Sequence, residues 1–432
     1  KPRLPVERAF SLKGVGTVVT GTLTDGEVSV GTEYQIQPST EVVSVRSAQS
    51  HGATAETVPP GTRTALNLSG IGLRENRGAA REGIGRGDVL VSSGMGDPVT
   101  VIDVVVSKSD RENRGMKQSK RALRTGREVM FHHGSSGIPA RIHFLGQRSL
   151  SPGESVLAEL RFADPVFVFV GDGFVLRDAS LGLTLAGGLI LDEDANRRAF
   201  RKPFQATFLK ARAEAPHDLS TLIHSQLQRD RVAFLPDLLK RSVFSEESIR
   251  AEAEKQVETG ELEQNGDWVF LAAWWKKIRS LAADKVREIH DAHPEQLGLP
   301  IRDLRAMMEP ELPSPRFFDM VLEGLLAGEF ANHIPQLPPE LKQSGDLVRK
   351  RLASDLIAPP NKGEAATNPN EEKALRFLVH TGEVVDLDAK TVISSAGFET
   401  IQEQVCAYLE SHGRATASDL RQHTGTVRRI LM

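Results

Sequence analysis

Residues 10–22, Phe-Ser-Leu-Lys-Gly-Val-Gly-Thr-Val-Val-Thr-Gly-Thr, constrain this chain more than any other stretch. An extended segment runs into Gly14-Val15-Gly16 and leaves again rich in β-branched residues. Gly14 and Gly16 can take positive φ at little steric cost. Val18, Val19, Thr20 and Thr22 suit a pleated, half-buried surface. The pattern predicts two strands joined by a tight turn in a β-barrel. Asp25-Gly26 carries a second hairpin signal. A dinucleotide-binding turn needs G-x-G-x-x-G leading from a strand into a helix. Here Val19 stands in the third glycine's place and the exit is a strand.

The same texture continues to about residue 200. Short β-rich runs alternate with glycine turns, among them residues 42–45, 64–68, 99–106, 140–145 and 165–170. Regular short strands with turn signals predict barrels or sandwiches. Gly85-Arg86-Gly87-Asp88-Val89-Leu90 closes one barrel, Gly94-Met95-Gly96-Asp97-Pro98 forms the junction, and the second barrel ends at Gly187-Gly188-Leu189-Ile190-Leu191-Asp192. Beyond this, helical periodicity takes over, with Ile249, Ala253, Val257 and Leu262 forming one stripe. A helix end, a glycine, a glutamate and an apolar residue recur at Gly260-Glu261-Leu262, Gly328-Glu329-Phe330 and Gly382-Glu383-Val384. The intervals of 68 and 54 residues are too uneven for a tight solenoid. Helix-turn-helix units closed by β-wings fit them, with a generic helical domain as the alternative. The expected fold is multidomain, β then α. Two antiparallel β-barrels (residues 1–95 and 96–199) precede winged-helix units at 200–277, 278–340 and 341–397 and a partial fourth at 398–432. Pro203 and Pro216 bracket an expected linker.

The chemistry of small-ligand catalysis is missing from this sequence. There is no G-x-x-x-x-G-K-[ST] phosphate loop, no H-E-x-x-H and no Cys-x-x-Cys. His132 and His133 are adjacent on an expected strand, so their rings point to opposite faces, a poor geometry for chelation. Cys406, the single cysteine, excludes an internal disulfide and suits a reducing compartment. It shares an apolar stripe with Ile401, Val405 and Leu409, which predicts a buried structural thiol. Net charge is only −3, so any nucleic-acid surface must be local. No run of 18 apolar residues occurs. No metal site, no membrane association and a cytoplasmic location are expected.

The blocks now on the page resemble a family, the selenocysteine-specific elongation factors, or SelB. Residues 6–22, 45–52 and 60–70 resemble the opening of its second domain. Phe131-His132-His133-Gly134, residues 150–155, Phe174-Val175-Leu176-Arg177-Asp178 and residues 187–192 resemble its third. His290-Asp291-Ala292-His293-Pro294 and Leu304-Arg305 resemble its winged-helix region. The first block is shared with other translational GTPases; the set as a whole, followed by winged helices, is much more specific. The chain begins nine residues before Phe10. The resemblance therefore implies that GTP and Mg²⁺ belong to an N-terminal domain this chain lacks. It implies selenocysteyl-tRNA on the barrels, an mRNA stem-loop beside the recoded UGA codon on the winged helices, and the ribosome as a further partner of a monomer. Alternatives are another tRNA-binding elongation or initiation factor, or a winged-helix DNA regulator.

The resemblance also implies site residues. Arg8 and Arg63 match positions lining the selenocysteine pocket, and Glu7 a position usually held by Asp. Read from the residues alone, both arginines are better described as surface strand residues in ion pairs; the resemblance is what points to the pocket. Candidates for tRNA contact are Gly14, Gly16, Lys117, Lys120, Arg121, Arg124, Arg127, His132 and His133. Several of these belong to a basic run from Lys108 to Arg127 that can meet phosphates or stay a solvated loop. Candidates for the mRNA hairpin are Arg421, Thr426, Arg428 and Arg429, with Ser418 as the cap of the preceding helix. The family's Thr-Ser-Arg-Lys run reads Thr426-Val427-Arg428-Arg429 here. With the sequence ending at Met432, weak hairpin binding is expected.

Overall fold

A computed structural model describes all residues except 75–82, 111–121, 181, 293–298, 327–335, 428–429 and 431–432. The chain divides into two compact units, residues 1–274 and 275–432.

The first unit opens with nine strands: β1 (Arg3–Leu12), β2 (Gly16–Thr22), β3 (Val28–Ser29), β4 (Glu33–Gln37), β5 (Val42–Ser50), β6 (Ala53–Ala55), β7 (Thr57–Val58), β8 (Arg63–Ser69) and β9 (Val89–Ser92). Six of them close a barrel in the order β4-β9-β1-β2-β8-β5, with β5 pairing back onto β4; β6 extends from β5, and β3 pairs with β7. Leu4, Val6, Val19, Ile36, Val45, Leu66 and Leu90 fill it. The β1–β2 hairpin turns at Gly14 and Gly16, whose φ values are +82° and +104°. Asp25-Gly26 does not make a hairpin. Asp25 bridges instead to Arg3, and β3 pairs with β7 rather than β2. The long-range partner outweighs the local turn signal.

The second barrel uses β10 (Val99–Ser107), β11 (Leu123–Arg124), β12 (Glu128–His133), β13 (Ser136–Phe144), β14 (Ser149–Leu150), β15 (Ser155–Val166), β16 (Gly173–Arg177) and β17 (Thr184–Asp192). It closes in the order β10-β15-β13-β12-β16-β17. Ile102, Val104, Phe131, Ile142, Leu160, Leu176 and Ile190 form its core. The expected strand at 165–170 stops at Val166. Phe167 and Phe169 instead pack on Val91 and Met95, cementing the two barrels.

Helices follow at once. The segment between Pro203 and Pro216 is not a linker but helix α1 (Pro203–Glu214), with proline in its first turn, where the missing N–H costs nothing. Its Phe208 and Leu209 pack with Phe200 on the barrel's outer wall. Next come α2 (Leu219–Asp230), β18 (Val232–Phe234), α3 (Glu246–Glu258), β19 (Leu262–Asn265) and β20 (Trp268–Leu271), with a three-stranded sheet ordered β18-β20-β19. Ile249 and Ala253 bury the α3 face, while Leu262 leaves the helix and starts β19.

The next helices, α4 (Ala272–Ala292), within which the second unit begins, α5 (Ile301–Met308) and α6 (Phe317–Leu326), are separated by no strand among the described residues. Then come α7 (Pro339–Ala353), α8 (Lys362–Ala365), α9 (Pro369–His380), a hairpin of β21 (Val384–Asp386) and β22 (Val392–Ser394), α10 (Ser395–His412) and α11 (Ala417–Thr424). Gly260 and Gly382 follow α3 and α9 with positive φ. The middle repeat, Gly328-Glu329-Phe330, lies outside the described residues. Cys406 is exposed, not buried: only Gly397 and Ile401 of α10 are buried. Thr416, not Ser418, caps α11, in a capping box with Asp419. Among the described residues no helix is long and apolar enough to cross a membrane.

Candidate functional site

The site on the first barrel grows from an irregularity in β1. Val6 pairs with Gly21 and Arg8 with Thr20, so Glu7 occupies a bulge. The bulge reverses which residues face the core. Leu4 and Val6 point inward before it; Ala9 packs on the core after it, and Arg8, Phe10 and Leu12 are exposed. Thr22 on β2 pairs with Arg63 on β8. Across these three strands the Arg63 guanidinium lies 3.0 Å from Glu7 Oε2. Thr22 Oγ1 donates to Glu7 Oε1 at 3.5 Å. The Arg63 side chain remains 64% exposed, so this pair holds a cation in place at the surface without burying it. Arg8 is exposed and has no ion-pair partner among the described residues. The structure thus joins Glu7 to Arg63 and leaves Arg8 alongside on the same strand. An added Cβ at Gly14 would meet nothing within 4 Å, so this glycine serves the turn's backbone and not a close approach.

Several second-barrel candidates are already committed elsewhere. His133 Nε2 lies 2.8 Å from Asp172 Oδ2. Arg3 from β1 donates to both Asp172 oxygens at 2.8 Å and stacks over the Phe169 ring. Burial alone would raise the Asp172 carboxyl, but the His133 bond and the Arg3 charge hold it below the ordinary range. His133 therefore belongs to an inter-barrel lock and is not a free tRNA contact. His132 is half-buried, and burial with nearby Arg177 lowers its proton affinity. Arg127 pairs with Asp178, while Arg124 is exposed. Lys108 is no solvated loop residue: it is buried, and its Nζ donates to the Leu185 carbonyl at 3.1 Å. Lys117, Lys120 and Arg121 lie outside the described residues.

On the second unit, Arg421 is exposed on α11. Thr426 is buried, and its hydroxyl donates to the Ile357 carbonyl, so it braces the fold and offers no group to RNA. Arg428 and Arg429 lie outside the described residues.

Sequence reading missed a buried charged row on the second barrel. Asp103 on β10 sits between Glu159 on β15 and Asp192 on β17, all three at most 1% exposed. Gln205 of α1 donates to Asp103 at 2.9 Å and Asp192 at 3.1 Å. Arg229 of α2 bonds Asp192 at 2.8 Å, and Arg161 pairs with Glu159. Asp103 has no cation of its own, and desolvation pushes its pKa up to about 8. The available signal was a lone carboxylate inside the apolar run Val101-Ile102-Asp103-Val104-Val105-Val106.

Two closed antiparallel barrels followed by helices match the fold of a translation elongation factor. The comparisons are specific within that class. Residues 111–197 match the family model described as the selenocysteine-specific elongation factor β-barrel domain. Over 190 residues the chain is 39% identical to the selenocysteine-specific elongation factor of Desulfomicrobium baculatum, covering 44% of this chain and 28% of that one. Over 311 residues it is 30% identical to that of Escherichia coli (strain K12), covering 71% of this chain and 45% of the relative. A crystal structure of bacterial selenocysteine-specific elongation factor EF-Sec shares the fold, with a TM-score of 0.55 at 18% identity, over 100% of this chain and 65% of that one. The chain is thus similar to selenocysteine-specific elongation factors over 71% of its length and matches their β-barrel domain at residues 111–197. It spans less than half the length of these curated relatives.

Proposed function

We propose that this chain carries the cargo- and RNA-binding parts of a selenocysteine-specific elongation factor. The barrels hold selenocysteyl-tRNA, the helical units hold an mRNA stem-loop, and the assembly recodes UGA on the ribosome. The observation that carries the reading is Arg63, fixed by Glu7 and Thr22 yet open to solvent, in a chain similar to this family. A selenol is far more acidic than a serine hydroxyl, so the cargo is largely anionic at neutral pH. A guanidinium stays charged throughout and discriminates between the two. Once a ligand excludes water around it, the Coulomb attraction grows. The winged-helix reading draws on the α2–β18–α3–β19–β20 order, a helix pair followed by a β hairpin. Arg421 is the hairpin contact retained among the described residues. GTP and Mg²⁺ have no phosphate loop to occupy within these 432 residues.

The test is binding of selenocysteyl-tRNA and seryl-tRNA to the chain and to its Arg63→Ala variant. The expected result is a loss of about tenfold, roughly 1.4 kcal/mol, for the selenocysteyl form, with little change for the seryl form. Equal losses for both would refute the reading.

A further inference from the structure

A cavity of about 650 Å³ opens inside the first unit, where the end of the second barrel meets the helices that follow it. That is within the size range of small-molecule sites. The barrel junction at residues 94–96, the segment after β17, the first turn of α1, the last turn of α2 and residues 237–241 line it. Its charges do not balance. Arg229 is answered by Asp192 at 2.8 Å and Asp230 at 2.7 Å, and Lys240 by Asp237 at 2.9 Å. Arg241 directs its guanidinium to the Asp97 and Glu193 backbone carbonyls, at 2.8 and 3.4 Å. Two carboxylates are left over. Asp194 is exposed and has no ion-pair partner among the described residues. The nearest cation to the Glu193 carboxylate is Arg241 Nε, 3.9 Å from its Oε1 and beyond hydrogen-bonding distance. Burial, and then the charge of Asp192, pushes the Glu193 carboxyl up. The C-terminal end of α2, which carries partial negative charge, adds to the same field.

Gln205 adds an unmet acceptor. It lines the cavity while only 2% exposed. Its amide nitrogen donates to Asp103 and Asp192. Asp192, ion-paired with Arg229, can only accept, which fixes the orientation of the amide. That leaves Gln205 Oε1 without a donor among the described residues. A buried amide oxygen in this position calls for an N–H or O–H from whatever fills the cavity. Beside these polar groups lies apolar surface, from Met95 and from Phe204, whose ring is 57% exposed.

We propose that this cavity binds a small aliphatic polyamine, with its ammonium groups on Glu193, Asp194 and the Gln205 Oε1 and its methylene chain against Phe204 and Met95. Ammonium groups supply donors and positive charge together, and the chain between them matches the apolar surface between the acids. A metal ion fits less well: among the described residues no acidic group has the arrangement of a metal site, and a hydrated cation gains nothing from Phe204. The ligand would touch the barrel end, α1 and α2 at once and stiffen their junction. The inference stands apart from the proposed function, because Arg63 does not line this cavity.

The test is isothermal titration calorimetry of the full chain with spermidine, magnesium chloride and a lysine-rich peptide as separate titrants. Spermidine should bind at a single site and raise the thermal midpoint. Glu193→Gln should weaken it roughly tenfold, the loss of a hydrogen bond to a charged group. Asp194→Asn should weaken it about threefold, as removal of an exposed ion pair does. Glu254→Gln, which neutralises an exposed carboxylate on α3 outside the cavity, should leave the affinity unchanged. Phe204→Ala should weaken spermidine and leave any magnesium binding as it was. Asp194 and Phe204 are exposed, so these two variants keep the fold, and thermal unfolding without ligand checks it; if Glu193→Gln unfolds, they decide the matter alone. The proposal falls if spermidine does not bind, if Glu254→Gln costs as much as Asp194→Asn, or if magnesium at equal concentration displaces spermidine. Tighter binding of the peptide, lost in the same variants, assigns the cavity to a protein partner and overturns the polyamine reading. None of these outcomes bears on selenocysteyl-tRNA binding, so the two readings fail separately.

Discussion

The Glu7–Arg63 pair on the first barrel and the Asp103–Glu159–Asp192 row on the second use the same chemistry on the same kind of wall, yet they do opposite work. Glu7 and Arg63 face water, so their mutual attraction is screened and worth at most about 1 kcal/mol. Their value lies in geometry, a cation held where a ligand can reach it. The row on the second barrel lies under α1 and α2, where ionising a carboxyl is expensive. Arg229 answers Asp192, Arg161 answers Glu159, and Gln205 bonds Asp103 and Asp192, so the row joins one module to the next. The Arg3–Asp172–His133 lock between the barrels belongs to this second kind. An exposed charge is free to meet a partner, and a buried one has already met it.

The largest expected effect comes from breaking the buried side of this contrast with pH. The folded Asp103 carboxyl titrates near 8, above its unfolded value near 4, so the folded chain holds the extra proton between them. Its contribution is full below the unfolded pKa and fades as pH rises through the folded one, at about 1.4 kcal/mol per pH unit. Asp103→Asn should flatten that slope in urea titrations run between about pH 4 and 8; an unchanged slope assigns the proton elsewhere. Next in size is Asp172→Ala, which leaves Arg3 buried without its carboxylate and should cost about 3 kcal/mol or more in the same assay. For the wild type, the carboxyl held low by His133 and Arg3 contributes stability above its unfolded pKa and loses it as pH falls through the folded value. The smallest effect should be Glu7→Gln, under about 1 kcal/mol in stability, with any consequence appearing in selenocysteyl-tRNA affinity. A large stability loss from Glu7→Gln would erase the distinction between the two walls.

What the sequence made legible was local. Gly14 and Gly16 demand positive φ, and the β-branched residues after them demand a strand, so the first hairpin and the barrel class could be read directly. What escaped depended on distant partners. Asp25-Gly26 had the right dipeptide, but Asp25 bridges to Arg3, far from it in sequence, at the start of the neighbouring strand. Pro203 signals a break and equally a helix start; Phe208 and Leu209 on the barrel wall decided for the helix. Cys406 follows an apolar period that the fold leaves exposed, and Thr426 resembled an RNA contact while its hydroxyl was spoken for by Ile357. Glu7 and Arg63 form an exposed ion pair, which the reading as surface strand residues also allowed, whereas His133 and Lys108 went to structural duties that only the closed second barrel could assign.

The bulge at Glu7 gives the chain something like a reading frame in three dimensions. Even-numbered residues of β1 face the core up to Val6 and face water from Arg8 onward. Remove one residue there and the count falls back into step: every later position of the strand exchanges its audience, and Arg8 is turned toward the interior. The outward face of β1 therefore depends less on which residues the strand contains than on a single extra one in its count.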